Sequence, residues 1–221
     1  GKIPIPRTKI NLKEKHVLVV VRGKDYKADL EAIRSYIDEV NPILIGVDCG
    51  GDALLDFGYT PHIVVGDMDS ISDRCLKKAN EIIVHAYSDG RAPGLERVKQ
   101  LGLEATIFPA PGTSEDIPVL LAYGNGADLI VAGGTHTNMI DFLEKGRSGM
   151  SSTFLVRLKV GSKLVDAKGV NKLYHSTFKL KYVIGVVIAA LFPIIVLTSR
   201  HPLFREIMNL FRIRLRMILG F

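Results

Sequence analysis

The run His16-Val17-Leu18-Val19-Val20-Val21 opens a series of short, unbroken apolar stretches, the pattern of strands covered on both faces. Leu30, Ile33, Tyr36, Ile37 and Val40 then recur at helical spacing, so a helix is expected over Asp25–Val40, ended by Asn41-Pro42. Further strands are expected at Ile43–Asp48, Ile63–Gly66, Ile82–Tyr87, Ala105–Pro109, Asp128–Ala132 and Lys163–Ala167. Helices fit between them near Asp52–Phe57, Asp73–Asn80 and Ser114–Ala122. Repeated strand–helix alternation predicts an α/β fold, a mainly parallel sheet with helices on both faces. Such sheets bind ligands beyond the carboxyl ends of their strands. The α/β domain is read over 16–173. Residues 1–15, which begin with Gly1 and carry Pro4 and Pro6, read as a linker from an N-terminal region expected to precede them.

The pattern changes after Tyr174. Tyr182–Thr198 holds no charged residue and is expected to form a hydrophobic helix rising about 25 Å, near the lower limit for crossing a bilayer. A helix buried within a dimer is the competing reading. Leu203–Leu219 follows as an amphipathic helix. Arg205, Asn209, Arg212 and Arg216 share one face, and Arg214 falls on the apolar side. Such a basic helix suits an anionic membrane surface or the groove of a partner protein. Residues 174–221 are therefore read as a membrane-associated segment.

Charge sharpens this division. The net charge is +6, with 29 Lys and Arg against 23 Asp and Glu. From Tyr174 onward seven basic residues face the single acid Glu206, which leaves 22 of each sign before it. A nucleic-acid-binding domain would carry its basic patch on the folded body; this body is neutral, so a membrane is expected as partner and nucleic acid is not. Cys49 and Cys75 suggest a reducing compartment. Cys49 reads as a small buried residue, since no base partner is evident.

Candidate chemistry collects at the expected strand ends. In Gly66-Asp67-Met68-Asp69-Ser70-Ile71 the two carboxylates would project to the same side of an extended backbone. Asp67 and Asp69 are therefore candidate ligands of one hard cation such as Mg2+; an Asx/Ser turn is the alternative. Asp48-Cys49-Gly50-Gly51-Asp52 offers backbone N–H groups to a phosphate or forms a tight turn. Gly112-Thr113-Ser114-Glu115-Asp116 opens a helix; Thr113 and Ser114 are candidate contacts or caps, and Asp116 could complete the cation site. His136 in Gly133-Gly134-Thr135-His136 is a phosphate or base contact or a structural histidine. Arg147 beside Ser148, Ser151 and Ser152 makes an anion cradle or a helix cap. Arg91 is a further candidate phosphate contact.

The segments Asp48–Asp52, Gly58-Tyr59-Thr60-Pro61 and Gly66–Ile71 resemble the catalytic domain of thiamine pyrophosphokinases. That resemblance implies magnesium binding by Asp67 and Asp69, an ATP-like nucleotide near Gly50, Gly51 and Asp52, and transfer of pyrophosphate to thiamine. The segments expected to carry thiamine recognition, near Ala110–Asp116 and Gly134–Asn138, lack that family's Lys-Asp pair, its Arg and its final Asp. A narrower resemblance covers Tyr87–Gly94, Gly112–Asp116, Gly134–His136, Asp141–Arg147 and Gly149–Leu155. These are similar to the SteA group of cytokinetic ring proteins, and the resemblance spans roughly residues 43 to 174. It implies a pyrophosphokinase-like domain joined to a C-terminal membrane segment and a role in bacterial cell division. The expected protein is membrane-attached, with its α/β domain cytoplasmic, and binds a Mg-nucleotide or other phosphate ligand with Asp48, Ser70 and the loops above. A division protein docking on the C-terminal helices and a homodimer are possible partners. Active thiamine pyrophosphokinase and an inert division scaffold are the alternative functions.

Overall fold

The computed structural model describes residues 4–135, 150–174, 180–199 and 202–219. By its contacts the chain divides into two units, residues 1–175 and 176–221. In the first, seven strands among the described residues form one sheet, and the pairings among them are parallel. They are β1 (His16–Val21), β2 (Ile43–Val47), β3 (Ile63–Gly66), β4 (Glu81–Ala86), β5 (Thr106–Pro109), β6 (Leu129–Gly133) and β7 (Leu164–Asp166), in the spatial order β5-β4-β3-β2-β1-β6-β7. Each expected strand is present within a residue or two of its expected bounds.

Side-chain alternation along these strands feeds two faces. Val17, Val19, Ile45, Val47, Ile63, Val65 and Ile83 pack with Ile117 and Leu121 of α6 (Asp116–Gly124) and Val156 and Val160 of α7 (Met150–Val160). The other face carries Leu18, Val20, Leu44 and Val131 beneath α1 (Tyr26–Ala32), α2 (Arg34–Val40), α3 (Gly50–Asp56) and α8 (Ala167–Leu173). Val64, Ile82 and Val84 continue that face beneath α4 (Asp73–Lys78) and α5 (Gly94–Gln100). Each fully buried branched side chain contributes about 1.5–3 kcal/mol.

The single helix expected over Asp25–Val40 is two. It breaks at Ile33 (φ −104°, ψ 12°), whose side chain is buried with Leu30, Tyr36 and Ile37. α3 begins at Gly50, earlier than expected, because its glycines let it lie directly on the sheet. A Cβ on Gly50 would overlap the Val20 carbonyl, and one on Gly46 would overlap Gly51. β1 sends the chain to the α1 face, whereas α7, which follows β6, lies on the opposite face. The direction of winding thus reverses between β1 and β6, where such sheets open a crevice.

The segment read as a linker lies along the amino ends of the strands. Both oxygens of Glu81, a 4% exposed carboxylate, accept backbone N–H groups, from Lys9 (3.0 Å) and Ile10 (3.2 Å). Asn125 accepts from Thr8 N–H (3.3 Å) and donates to Pro6 O (3.0 Å), while Leu12 is buried in the core.

In the second unit, α9 (Leu180–Ser199) contains the expected apolar run with Pro193 inside it, and α10 (Pro202–Leu219) is the expected amphipathic helix. The transmembrane reading needs correction: among the described residues no helix is long and apolar enough to cross a membrane. The stretch with described side chains, Tyr182–Val196, rises about 22 Å against a hydrocarbon core of about 30 Å.

Replacing Glu81 by Ala removes the acceptors for two backbone donors. It is expected to lower stability by about 2 kcal/mol, read as a shift in the urea midpoint followed by tyrosine fluorescence.

Candidate functional site

β3 ends at Gly66, and the chain does not continue extended through the acidic motif. Met68 turns left-handed (φ +69°) with its side chain buried in the core, and Asp69 N–H donates to Asp67 Oδ1 at 3.0 Å. This is an Asx turn. The premise that Asp67 and Asp69 project in parallel from a strand is therefore corrected. Both are exposed, but Asp67 has a different carboxylate as its neighbour.

That neighbour is Asp48. It leaves the adjacent strand β2 in a left-handed conformation (φ +46°), and its N–H donates to Val65 O at 2.9 Å. Its carboxylate takes the place a Cβ on Gly66 would occupy, so only glycine fits there (φ +155°). Asp48 Oδ1 accepts from Met68 N–H at 3.4 Å. Burial, then the charge of Asp67, pushes the Asp48 carboxyl up to about 7. Two facing carboxylates, one drawn out of water and one exposed, fit a hard divalent cation.

The rest of the neighbourhood supports this loop. Asp52, a candidate nucleotide contact, instead accepts from Ser72 N–H (2.8 Å) and from the Ser72 hydroxyl. Gly50 and Gly51 are buried, and Gly51 N–H donates to Asp48 O at 3.0 Å, so this pair serves close packing and the turn. Burial, with Asp52 nearby, pushes the Cys75 thiol up to about 12, which makes it inert. Ser70 is exposed beside Asp69.

Other candidates lie apart. Arg91 pairs with Asp89 at 2.6 Å and stacks over Tyr87, 5.5 Å from the ring centre. Asp116 is buried, and its Oδ2 accepts from Thr113 N–H (3.2 Å), the Thr113 hydroxyl (2.9 Å) and the Ser152 hydroxyl (2.7 Å). It ties α6 to α7. Among the described residues no three His, Cys, Asp or Glu side chains gather as a metal cluster, so Asp116 does not join Asp67 and Asp69. Ser114 is half-buried. His136 and Arg147 lie outside the described residues.

Three contributors carry no motif in the sequence. Arg22 is exposed at the end of β1, between β2 and β6. Buried Asp29 accepts from Gly134 N–H at 3.0 Å, beyond β6. Arg97 reaches the acidic loop from α5. Position relative to strand ends identifies Arg22; the other two bind backbone groups, which leave no side-chain pattern to read. A cleft of about 260 Å³ lined by Lys9, Glu81, Glu104 and Thr106 sits at the opposite, amino end of β4.

Fold and site thus define an open parallel α/β domain with a carboxylate pair at its strand ends, followed by a separate helical unit. Residues 168–219, which span that unit's helices, match the family model described as SteA-like C-terminal domain. Among solved structures the chain is similar to a thiamine pyrophosphokinase from Bacillus subtilis, at 21% identity and a TM-score of 0.41, covering 68% of this chain and 60% of that one. The corresponding enzyme from Geobacillus thermodenitrificans gives 18% identity and a TM-score of 0.41, with 68% and 57% covered. A protein from Lactobacillus plantarum gives 16% identity and a TM-score of 0.38, with 69% and 59% covered. The chain therefore spans less than two thirds of each of these proteins. No curated protein matches it.

Without bound metal, Asp48 holds its proton to about pH 7 in the folded chain, against about pH 4 unfolded. Its contribution to stability is therefore fully present below about pH 4 and lost as pH rises toward 7. Asp48→Asn is expected to abolish that decline, so urea midpoints in chelator at pH 5 and pH 8 should diverge less in the variant than in the wild type.

Proposed function

We propose that this chain is a membrane-attached, pyrophosphokinase-like domain that binds a Mg-nucleotide or another phosphate ligand and serves bacterial cell division. The carrying observation is the pair Asp48–Asp67 at the ends of adjacent strands, with one carboxyl pushed up to about 7 by burial and by its partner. Asp48 and Asp67 would hold the cation, and Asp69, exposed two residues further on, would lie at the rim. When bound, Mg2+ supplies charge neutralisation for phosphate oxygens and a template that orients them. The chain's own contributions are to hold the two carboxylates together and to present Arg22 and Gly134-Thr135, just past β6, along the same edge. A phosphate chain lying over the ends of β3, β2, β1 and β6 would cross the reversal point of the sheet.

The division role is what the resemblance to the SteA group implies, and the match of residues 168–219 to the SteA-like C-terminal domain supports that resemblance. Membrane attachment is supported by α9, where Tyr182, Val183, Ile184, Val186, Val187, Ile188, Leu191 and Phe192 are all exposed, a patch that water does not favour. Set beside α10, it fits a monolayer or interfacial anchor at the cell membrane, with the α/β domain cytoplasmic. The same helices are the surface on which a division partner or a second copy would meet this chain.

Calorimetric titration of Mg-ATP is expected to show binding, weakened tenfold or more by Asp67→Asn; heat-silent titration of the wild type overturns the ligand reading. In a flotation assay with vesicles of mixed neutral and anionic phospholipid, the full chain is expected to float and a chain ending at His175 to stay below. Equal behaviour of the two overturns the anchor.

A further inference from the structure

Met68 sits in a left-handed conformation that a residue with a side chain adopts at a cost of about 1–2 kcal/mol. Something outside the loop must hold it there. Arg97, on α5, donates Nη1 to Met68 O, and its Nη2 donates to Ile71 O at 2.7 Å and to the Asp73 carboxylate at 2.6 Å. Gly94, one turn earlier, lies so close to the Asp67 carbonyl that a Cβ would overlap it. From the other side, Asp52 of α3 grips Ser72. The planar fork of a guanidinium reaches two carbonyls three residues apart at once, which a lysine ammonium on its single stem does not reproduce. Its positive charge also lies against the segment that carries Asp67, Asp69 and Asp73, pairing with Asp73, and offsets their mutual repulsion. Three of its N–H donors are held by these protein acceptors, so Arg97 acts on the loop.

We infer that Arg97 is the positioning residue of the carboxylate site: by bridging Met68 O, Ile71 O and Asp73 it fixes the loop so that Asp67 stays against Asp48. This rests on the reading of the pair as a cation site. The test takes the full chain in detergent as wild type, Arg97→Met and Arg97→Lys, and makes two measurements on each. The first is amide hydrogen exchange over residues 67–72 in chelator, with residues 17–20 of β1 as internal reference. The second is calorimetric affinity for Mn2+ alone.

Arg97→Met is expected to speed exchange over 67–72 at least tenfold with the β1 amides unchanged, and to weaken Mn2+ at least tenfold. Arg97→Lys, which keeps the charge, is expected to fall between. Loop exchange within twofold of wild type in Arg97→Met overturns the inference, as does faster exchange with unchanged Mn2+ affinity. If Arg97→Met also loosens the β1 amides, Arg97→Lys decides: affinity reduced threefold or more supports the bridge, and wild-type affinity overturns it. Should the wild type take up no Mn2+, the cation reading fails, and exchange over 67–72 still decides whether Arg97 holds the loop.

Discussion

Two carboxylates brought side by side with one of them partly out of water repel each other, and the folded chain holds Asp48 and Asp67 in that arrangement. Several otherwise unrelated features follow from this one unfavourable contact. Gly66 lacks a side chain because Asp48 fills its space. Asp48 and Met68 adopt left-handed backbone angles that turn one carboxylate inward and bury one thioether. The Met68 N–H bond to Asp48, the Asp52–Ser72 bonds and the Arg97 bridge then fix the loop from three directions. Strain collected at one place and balanced by its surroundings is the usual condition of a binding site, and it is the reason to look here first.

The sheet makes this affordable because its centre is closely filled. β1 is flanked by β2 and β6 and covered on both faces, and Val17, Leu18, Val19 and Val20 are fully buried. α3 can approach that centre because Gly46, Gly50 and Gly51 remove the side chains that would hold it away. The same approach places Asp52 where it meets Ser72. A glycine pair that suggests a phosphate cradle in the sequence therefore acts one step further back, by bringing a helix close enough to brace the acidic loop.

The apolar runs made the strands legible, because strands buried on both faces leave continuous Val, Ile and Leu stretches that other elements rarely imitate. The site was legible only in part. Asp67 and Asp48 could be identified as acids at strand ends, but their pairing crosses from β2 to β3 and depends on backbone angles at Asp48 and Met68 that no periodicity encodes. The acids at 67 and 69, one residue apart, invited an extended geometry that the Asx turn replaces. Asp116 looked like a further ligand, yet its donors are Thr113 and Ser152, the second of them 36 residues away. Arg97 was silent for a related reason, since two of its three partners are carbonyls that every residue carries.

The division of charge bears on how the two units would act together under the proposed reading. A body with equal numbers of acids and bases gains little from long-range attraction to an anionic surface, whereas the tail, with seven basic residues and one acid, gains much. Near an anionic leaflet each Lys or Arg contributes about 1 kcal/mol, and the attraction fades within a Debye length. An anchor in which the described apolar stretch does not reach across the bilayer would lean on that electrostatic share, and its attachment would weaken as salt rises. The carboxylate pair has the opposite sign. It would draw a phosphate ligand only once a divalent cation had reversed the local charge, so cation supply would govern the site while lipid charge would govern the tail. Two controls of opposite sign, carried by separate units of one chain, would let ligand state and membrane attachment vary independently.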